Sequence, residues 1–402
     1  MSNENGIPSL PVDSLLQRIY EYAFSKTKAP AGIIFWTVFA LLGACLRDKI
    51  YIDWATKTIF PNFPLLIVAP SGWGKTGAVN ACMNIFDGVL PYTIPEDSTA
   101  ESFTSQFSKY SVKGNFATCV LWVVPELADI FGKKSYQEGL IARLTRLLDA
   151  PKDRKVSRKN QDDETIWGRA VFNWISCTTF IWLAENVDVS VSTGGFLPRV
   201  FTVKTEEPPR KNTNPVRDHA KEEALNKELK KAVGHLKSTP LAITPDIEAI
   251  LDQNYKDHME SIGTELENFI ARRDENFLRI YLVLRVFGGI TEHDGLLRLS
   301  YGCCKFFENN NLTLLRDINN NKNRNKNFTT KSHDRVIKKF RNSVIRKKPE
   351  HFYAQVCRDL NLHSDELKAI LTDLAEKGCI EWNKATGTHG KILVLESIND
   401  FK

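Results

Sequence analysis

Residues 65–76 constrain the fold more than any other stretch. Leu65, Leu66, Ile67 and Val68 form an apolar run that passes through Ala69, Pro70, Ser71, Gly72, Trp73 and Gly74. Lys75, Thr76 and Gly77 then open a segment that reads as a helix as far as Phe86. A buried strand, a glycine-containing loop and a helix N-terminus in that order make a cradle for phosphate. Gly72 and Gly74 free the backbone to wrap around an anion, with successive N–H groups pointing inward. Lys75 would meet the β- and γ-phosphates, and the Thr76 hydroxyl would hold Mg²⁺. ATP with Mg²⁺ is therefore the expected ligand, bound by Ser71, Gly72, Trp73, Gly74, Lys75, Thr76 and Gly77. Ala69 departs from the full pattern, standing where the first glycine is usual. The plainer alternative is an ordinary strand-to-helix turn with an exposed lysine.

The chain is 402 residues long, enough for two or three domains and a large core. Its formal charge of +6 is weak, so the distribution of charge along the chain carries more than its sum. The eight cysteines include no Cys-x-x-Cys pair. Cys45, Cys82, Cys119, Cys177 and Cys303 sit within apolar patterns, as buried thiols of a reducing compartment do. Residues 31–46 are the one apolar run that suggests a membrane, but they fall short of the ~20 residues a span needs. A buried helix is expected there. No signal-peptide pattern opens the chain, so a cytoplasmic location without membrane contact is expected.

Organisation follows from composition shifts. Residues 1–50 read as a helical segment. From 51 to 205 apolar strands alternate with helices: 50–52, the strand at 65–68, 118–124, 170–177 and 198–203. Such a pattern predicts an α/β fold, a parallel sheet with helices on both faces. Residues 204–218 are rich in proline and charge and mark a boundary. Residues 206–315 read as a helical lid, with helices over 221–236, 245–262, 266–287 and 296–315. Residues 316–348 read as a polar, basic linker whose Lys338, Lys339 and Arg341 would contact DNA by charge. Residues 349–402 read as helix, turn, helix and two strands, the winged-helix pattern. Such modules bind DNA or protein, and the acids on residues 365–377 (Asp365, Glu366, Asp373, Glu376) argue against deep major-groove reading.

Glu126 follows the strand at 118–124 and would polarise the water that attacks the γ-phosphate, while sharing Mg²⁺ with Thr76. Pro125 occupies the place of a preceding aspartate and cannot touch a metal, so hydrolysis is either slow or rests on Glu126 alone. Alternatively, Glu126 caps the helix that follows. Between the second and third core strands lie Lys152, Arg154, Lys155, Arg158 and Lys159. A basic hairpin there would grip a phosphate backbone by charge, without reading sequence; otherwise it is a solvated loop. Thr178 or Thr179, after the third strand, would contact the γ-phosphate. Arg199 follows Gly194 and Gly195 and precedes a short strand. Its guanidinium would reach the γ-phosphate of a neighbouring subunit. Arg279, or Arg272 or Arg273 before it, would sense nucleotide from the lid, or would pair with Asp274 and Glu275.

In this order the pieces resemble one family, the helicase- and primase-associated ATPases of phages, plasmids and other mobile elements. The resemblance covers about residues 10–310 and rests on residues 69–76, 124–127 and 195–199. The layout is also similar to minichromosome-maintenance helicases, which place an arginine finger before a short strand and carry a C-terminal winged helix. The resemblance implies an ATP-dependent, helicase-like motor that translocates on DNA in the replication of a mobile element or phage, with a P-loop NTPase core of AAA+ or RecA-like type and a ring, a hexamer, with ATP between subunits. It also implies single-stranded or forked DNA as the partner, together with replication proteins. An initiator or loader switch is the alternative; a P-loop kinase is a third and weaker one.

Overall fold

The computed structural model describes residues 6–54, 56–96, 98, 100–128, 138–158, 161–186, 195–211, 217–345, 350–360, 364–376, 379–382 and 391–395. The chain divides into two compact units, Met1–Ile318 and Asn319–Lys402.

The first unit opens with α1 (Leu15–Lys26) and α2 (Ala31–Leu46). Ser14 caps α1 by accepting the Gln17 N–H at 3.2 Å. Every residue of α2 after Ala31 is buried. A helix apolar on all sides belongs inside a core, and no described helix is long and apolar enough to cross a membrane.

Strands β1 (Ile50–Trp54) and β2 (Lys57–Ile59) come next, followed by the core strands. These are β3 (Leu65–Val68), β4 (Tyr92–Ile94), β5 (Ala117–Val124), β6 (Lys152–Arg158), β7 (Gln161–Thr178) and β8 (Phe201–Lys204). The main sheet runs β4-β5-β7-β3-β8, with β6 paired to β7. All neighbours along the path are parallel, and only the β6–β7 pair is antiparallel. The expected α/β class and parallel sheet are present.

Alternation along the strands builds two cores. Leu65 and Ile67 of β3, with Ile175 and Cys177 of β7, join α2 on one face. Leu66 and Val68, with Phe172 and Trp174, face the other side. Both faces are buried, which is why these strands read as continuous apolar runs.

Three expectations are corrected. The strand begun at Ile50 does not enter the main sheet; β1 forms a separate sheet with β2 and with β9 (Thr239–Pro240). The third core strand is much longer than 170–177, because its first half turns out to be one arm of the β6–β7 hairpin. Within residues 206–315, read as a lid, Leu278, Leu282 and Val283 share a core with Ile34 and Phe39 of α2. The helix expected at 266–287 is broken into Glu267–Ile270 and Arg273–Phe287. At the break the Arg273 guanidinium is buried and paired with Glu308 at 2.7 Å and with Asp257.

Trp36 ties α2 to the start of the long helix His293–Ile345. Its ring is fully buried and meets Phe307 edge-on at 4.5 Å. Trp36→Ala should cost about 3–5 kcal/mol of stability, read as a lowered urea midpoint. A midpoint unchanged within error would show that the α2 core does not carry the unit.

The second unit contains the C-terminal part of that long helix, then β10 (Glu350–Phe352), helices Tyr353–Leu360 and Ser364–Glu376, β11 (Ile380–Trp382) and β12 (Lys391–Val394). Its sheet runs β10-β12-β11 and is antiparallel. The expected linker at 316–348 is instead helical through Ile345. Its basic composition hides an apolar face, because Val336, Ile337 and Phe340 are buried with Leu367, Leu371 and Ile392. Residues 346–348 lie outside the described residues.

Candidate functional site

The carboxyl ends of three parallel strands meet at one edge of the main sheet. Val68 of β3 aligns with Thr178 of β7, and Ser176 of β7 aligns with Val124 of β5. The loop after β3, Thr178 and Glu126 therefore stand side by side. Loops at this edge are where open parallel sheets hold ligands.

Gly72 (φ 79°) and Gly74 (φ 72°) are both left-handed, a conformation other residues adopt at a cost. A Cβ added at Gly72 or Gly77 would meet nothing within 4 Å, so the lip of the loop is open. Helix α3 (Lys75–Met83) begins directly after Gly74, and the amides of its first turn lack intrahelical acceptors. Lys75 is buried, and its Nζ donates to the carbonyls of Ala69 and Pro70 at 2.9 Å each. The ammonium thus lies across its own loop. Burial lowers its pKa from the ordinary value, while the nearby Cys177 and Glu126 oppose the shift.

Glu126 is exposed. Its position is fixed by the Leu127 N–H, which donates to the Cys177 carbonyl at 2.8 Å. Thr178 is buried, and its carbonyl accepts from the Ala69 N–H at 3.2 Å, tying β7 to the loop. Ser71, Gly72, Gly74 and Gly77 are exposed, and Trp73 and Thr76 are half-buried. The structure therefore brings together Lys75, Thr178, Glu126 and the loop.

Arg199 lies elsewhere. It precedes Phe201, which aligns with Leu65 at the amino end of β3, so it sits at the opposite edge of the sheet. Its Nε and Nη2 both donate to Asp149 at 2.9 Å, and its Nη1 donates to the Gly195 carbonyl at 2.5 Å. Arg272 adds a bond to Asp149 at 3.1 Å and binds Glu275 at 2.9 Å. Burial works to raise the Glu275 carboxyl, yet Arg279, Arg272 and Lys57 hold it below the usual range. Arg279 lies with this cluster and not at the loop. It is buried beside Glu275 and Asp149 and donates to the Leu148 carbonyl at 2.7 Å. Among the described residues no bond joins it to the loop at 71–77.

The basic hairpin exists as β6 and the first half of β7. Lys152 and Lys155 are exposed and Arg154 is half-buried. Burial lowers the Arg154 pKa, and so do Arg146 and Arg143 on the helix Glu138–Leu147. Arg158 lies on β6, but its side chain is outside the described residues, as is all of Lys159. Sequence reasoning missed Arg143 and Arg146, although their i, i+3 spacing on one helix signals a shared face. It also missed Asp149 and Lys204. Lys204 aligns with Val68 beside the loop and pairs with Asp317 at 2.8 Å.

In the second unit Lys338 is exposed, whereas Lys339 is engaged by Asp359 at 2.7 Å. Arg341 is half-buried and has a partner of its own. The cysteines are free thiols. Among the described residues no three His, Cys, Asp or Glu side chains gather as a metal site. Thr76 and Glu126 still suit Mg²⁺, which commonly takes one or two protein oxygens and completes its shell with phosphate and water.

No family model matches the chain, and no curated protein matches it. Among solved structures, the active helicase Cch of SCCmec type IV is similar to this chain with a TM-score of 0.34 and 11% identity. The match covers 98% of this chain and 73% of that one. Similarity of this size decides neither fold nor activity.

Proposed function

We propose that this chain is an ATP-hydrolysing, helicase-like motor that moves on DNA in the replication of a mobile element. The observation that carries this reading is the convergence of the open glycine loop, Lys75, Thr178 and Glu126 at the carboxyl edge of the parallel sheet. Loop amides and Lys75 bind the phosphates of ATP. Thr178 orients the γ-phosphate, and Glu126 takes the proton of the attacking water. Thr76 and Glu126 hold Mg²⁺, which supplies charge to neutralise the phosphates. Arg199 serves the ATP of the adjacent subunit in a ring, a hexamer by resemblance. The hairpin with Arg143 and Arg146 grips DNA by charge, without regard to sequence. The strand–helix–helix–strand–strand unit at the C-terminus acts as a winged helix that recruits DNA or a replication protein.

Pro125 favours a second reading, an initiator or loader in which slow hydrolysis only resets assembly. It fixes the backbone before Glu126 and offers no second carboxylate. DNA-stimulated turnover with strand displacement separates the motor from the switch.

Lys75→Ala tests the common core of both. Isothermal titration should give clear heat for ATP with the native chain and none with the variant. Equal ATP uptake by the two, with matched circular dichroism, would overturn both readings.

A further inference from the structure

A cleft of about 750 Å³ opens at the root of the basic hairpin, away from the nucleotide edge of the sheet. Lys113, Phe116, Lys152, Trp167 and Arg169 line it. We propose that this cleft is a stacking site for an unpaired base of single-stranded DNA, with the flanking phosphates on Lys113, Lys152 and Arg169. This rests on the reading of the hairpin as the DNA grip and gives that grip a second, uncharged contact.

Three features carry it. First, the cations lack the engagement seen at Arg199 or Lys204. Among the described residues neither Lys152 nor Arg169 has a side-chain hydrogen bond or ion pair, and Lys113 only lies over the Trp167 ring at 5.4 Å. The two acids of the cleft face neutral donors: Asp53 accepts from the Thr58 hydroxyl at 2.9 Å and Asp153 from the Gly168 amide at 2.8 Å. Three cations against two carboxylates leave the cleft positive.

Second, Phe116 is 44% exposed although large and apolar. The rings of Tyr51 at 4.9 Å and Phe60 at 5.8 Å pack against it, so it is braced while much of its surface stays open. An aromatic face beside unpaired cations is the chemistry that holds single strands, because every base has a π-face.

Third, the backbone makes the cleft part of the hairpin. Lys152 pairs with Arg169 in the ladder, and a register shift follows between Lys152 and Arg154. Asp153 (φ 44°) and Gly168 (φ 70°) adopt left-handed conformations there. A Cβ at Gly168 would lie 2.5 Å from the Asn115 carbonyl oxygen, so only glycine allows the 115–116 loop to close against β7. That close approach sets Phe116 beside Arg169. A strand held by Lys155 and Arg154 would run on into the cleft.

The test uses the full chain and two labelled probes of equal length, an oligothymidylate and an abasic oligonucleotide. Fluorescence anisotropy should show tighter binding to the oligothymidylate. Phe116→Ala should weaken that binding about tenfold, in line with loss of one stack, and leave the abasic probe unchanged. Phe116→Tyr should restore it. Arg169→Gln should weaken both probes and flatten the salt dependence. Persistence of the full preference for bases in Phe116→Ala would overturn the proposal. So would displacement of the oligothymidylate by equimolar thymidine triphosphate, which would mark a mononucleotide site. Loss of binding in Arg154→Gln with Lys155→Gln, but not in Phe116→Ala, would keep the hairpin and remove the cleft. No effect from either set would remove both.

Discussion

Glu126→Gln should leave ATP binding intact and slow phosphate release by about 10²- to 10⁴-fold, the usual contribution of a positioned general base. The amide keeps the size and hydrogen-bonding reach of the carboxylate but cannot accept the proton of water. The local backbone should not move, because Leu127 is anchored to the Cys177 carbonyl through its own N–H. Glu126 also lies close enough to Lys75 to oppose the burial-driven fall in its pKa. Removing the charge therefore lets that fall deepen slightly. Single-turnover phosphate release, with ATP retention on a filter in parallel, separates chemistry from binding. An unchanged release rate would reduce Glu126 to an acid at a strand end. A variant that loses ATP as well would place Glu126 in the phosphate cradle itself.

The strand, loop and helix over 65–83 were legible because their signals are local. A buried strand, two glycines and a lysine at the start of a helix lie within a dozen positions, and each obeys a short-range rule. The placement of Glu126 and Thr178 needed only one further step, since parallel strands with buried faces put their carboxyl ends at one edge. The sequence could not reveal that β7 lies between β3 and β5, which is what sets Thr178 between the loop and Glu126.

What was not legible depends on long-range pairing. Asp149 reads as one more charged residue in a polar stretch. It matters only because folding brings Arg199 and Arg272 to it from 50 and 123 positions away. The placement of Arg279 was hidden for the same reason. On an apolar helix its charge looked functional, yet the helix is pressed against α2 and the guanidinium is closed in beside Glu275. The helix through 316–345 was hidden by composition: asparagine and lysine dominate, while the apolar spacing of Val336, Ile337 and Phe340 is short. Strand β4 spans only three residues and is held chiefly by pairing with β5, so its own sequence carries little signal.

Arg199→Ala should leave ATP bound and lower turnover by about 10³- to 10⁵-fold, the range seen when an arginine that neutralises phosphoryl-transfer charge is removed. Arg199 sits at the amino edge of β8, and the loop lies at the carboxyl edge of the neighbouring β3. Four residues of strand separate them, about 13 Å at 3.3 Å per residue, with the β-sheet core between. If the proposed ring forms, an arginine so placed would serve a site on another copy. It follows that Arg199→Ala and Glu126→Gln chains, each inactive alone, should regain part of the turnover when mixed. At some junctions one chain supplies the intact Glu126 and the other the intact Arg199. Folding should survive the change, because Asp149 retains Arg272 at 3.1 Å when Arg199 is gone. The recovery should depend on protein concentration, since it requires assembly. A mixture no more active than its parts, together with full activity of Arg199→Ala alone, would make the Asp149–Arg199 pair a structural brace. Full inactivity of every mixture would instead show that Arg199 and Glu126 do not meet across a junction between copies.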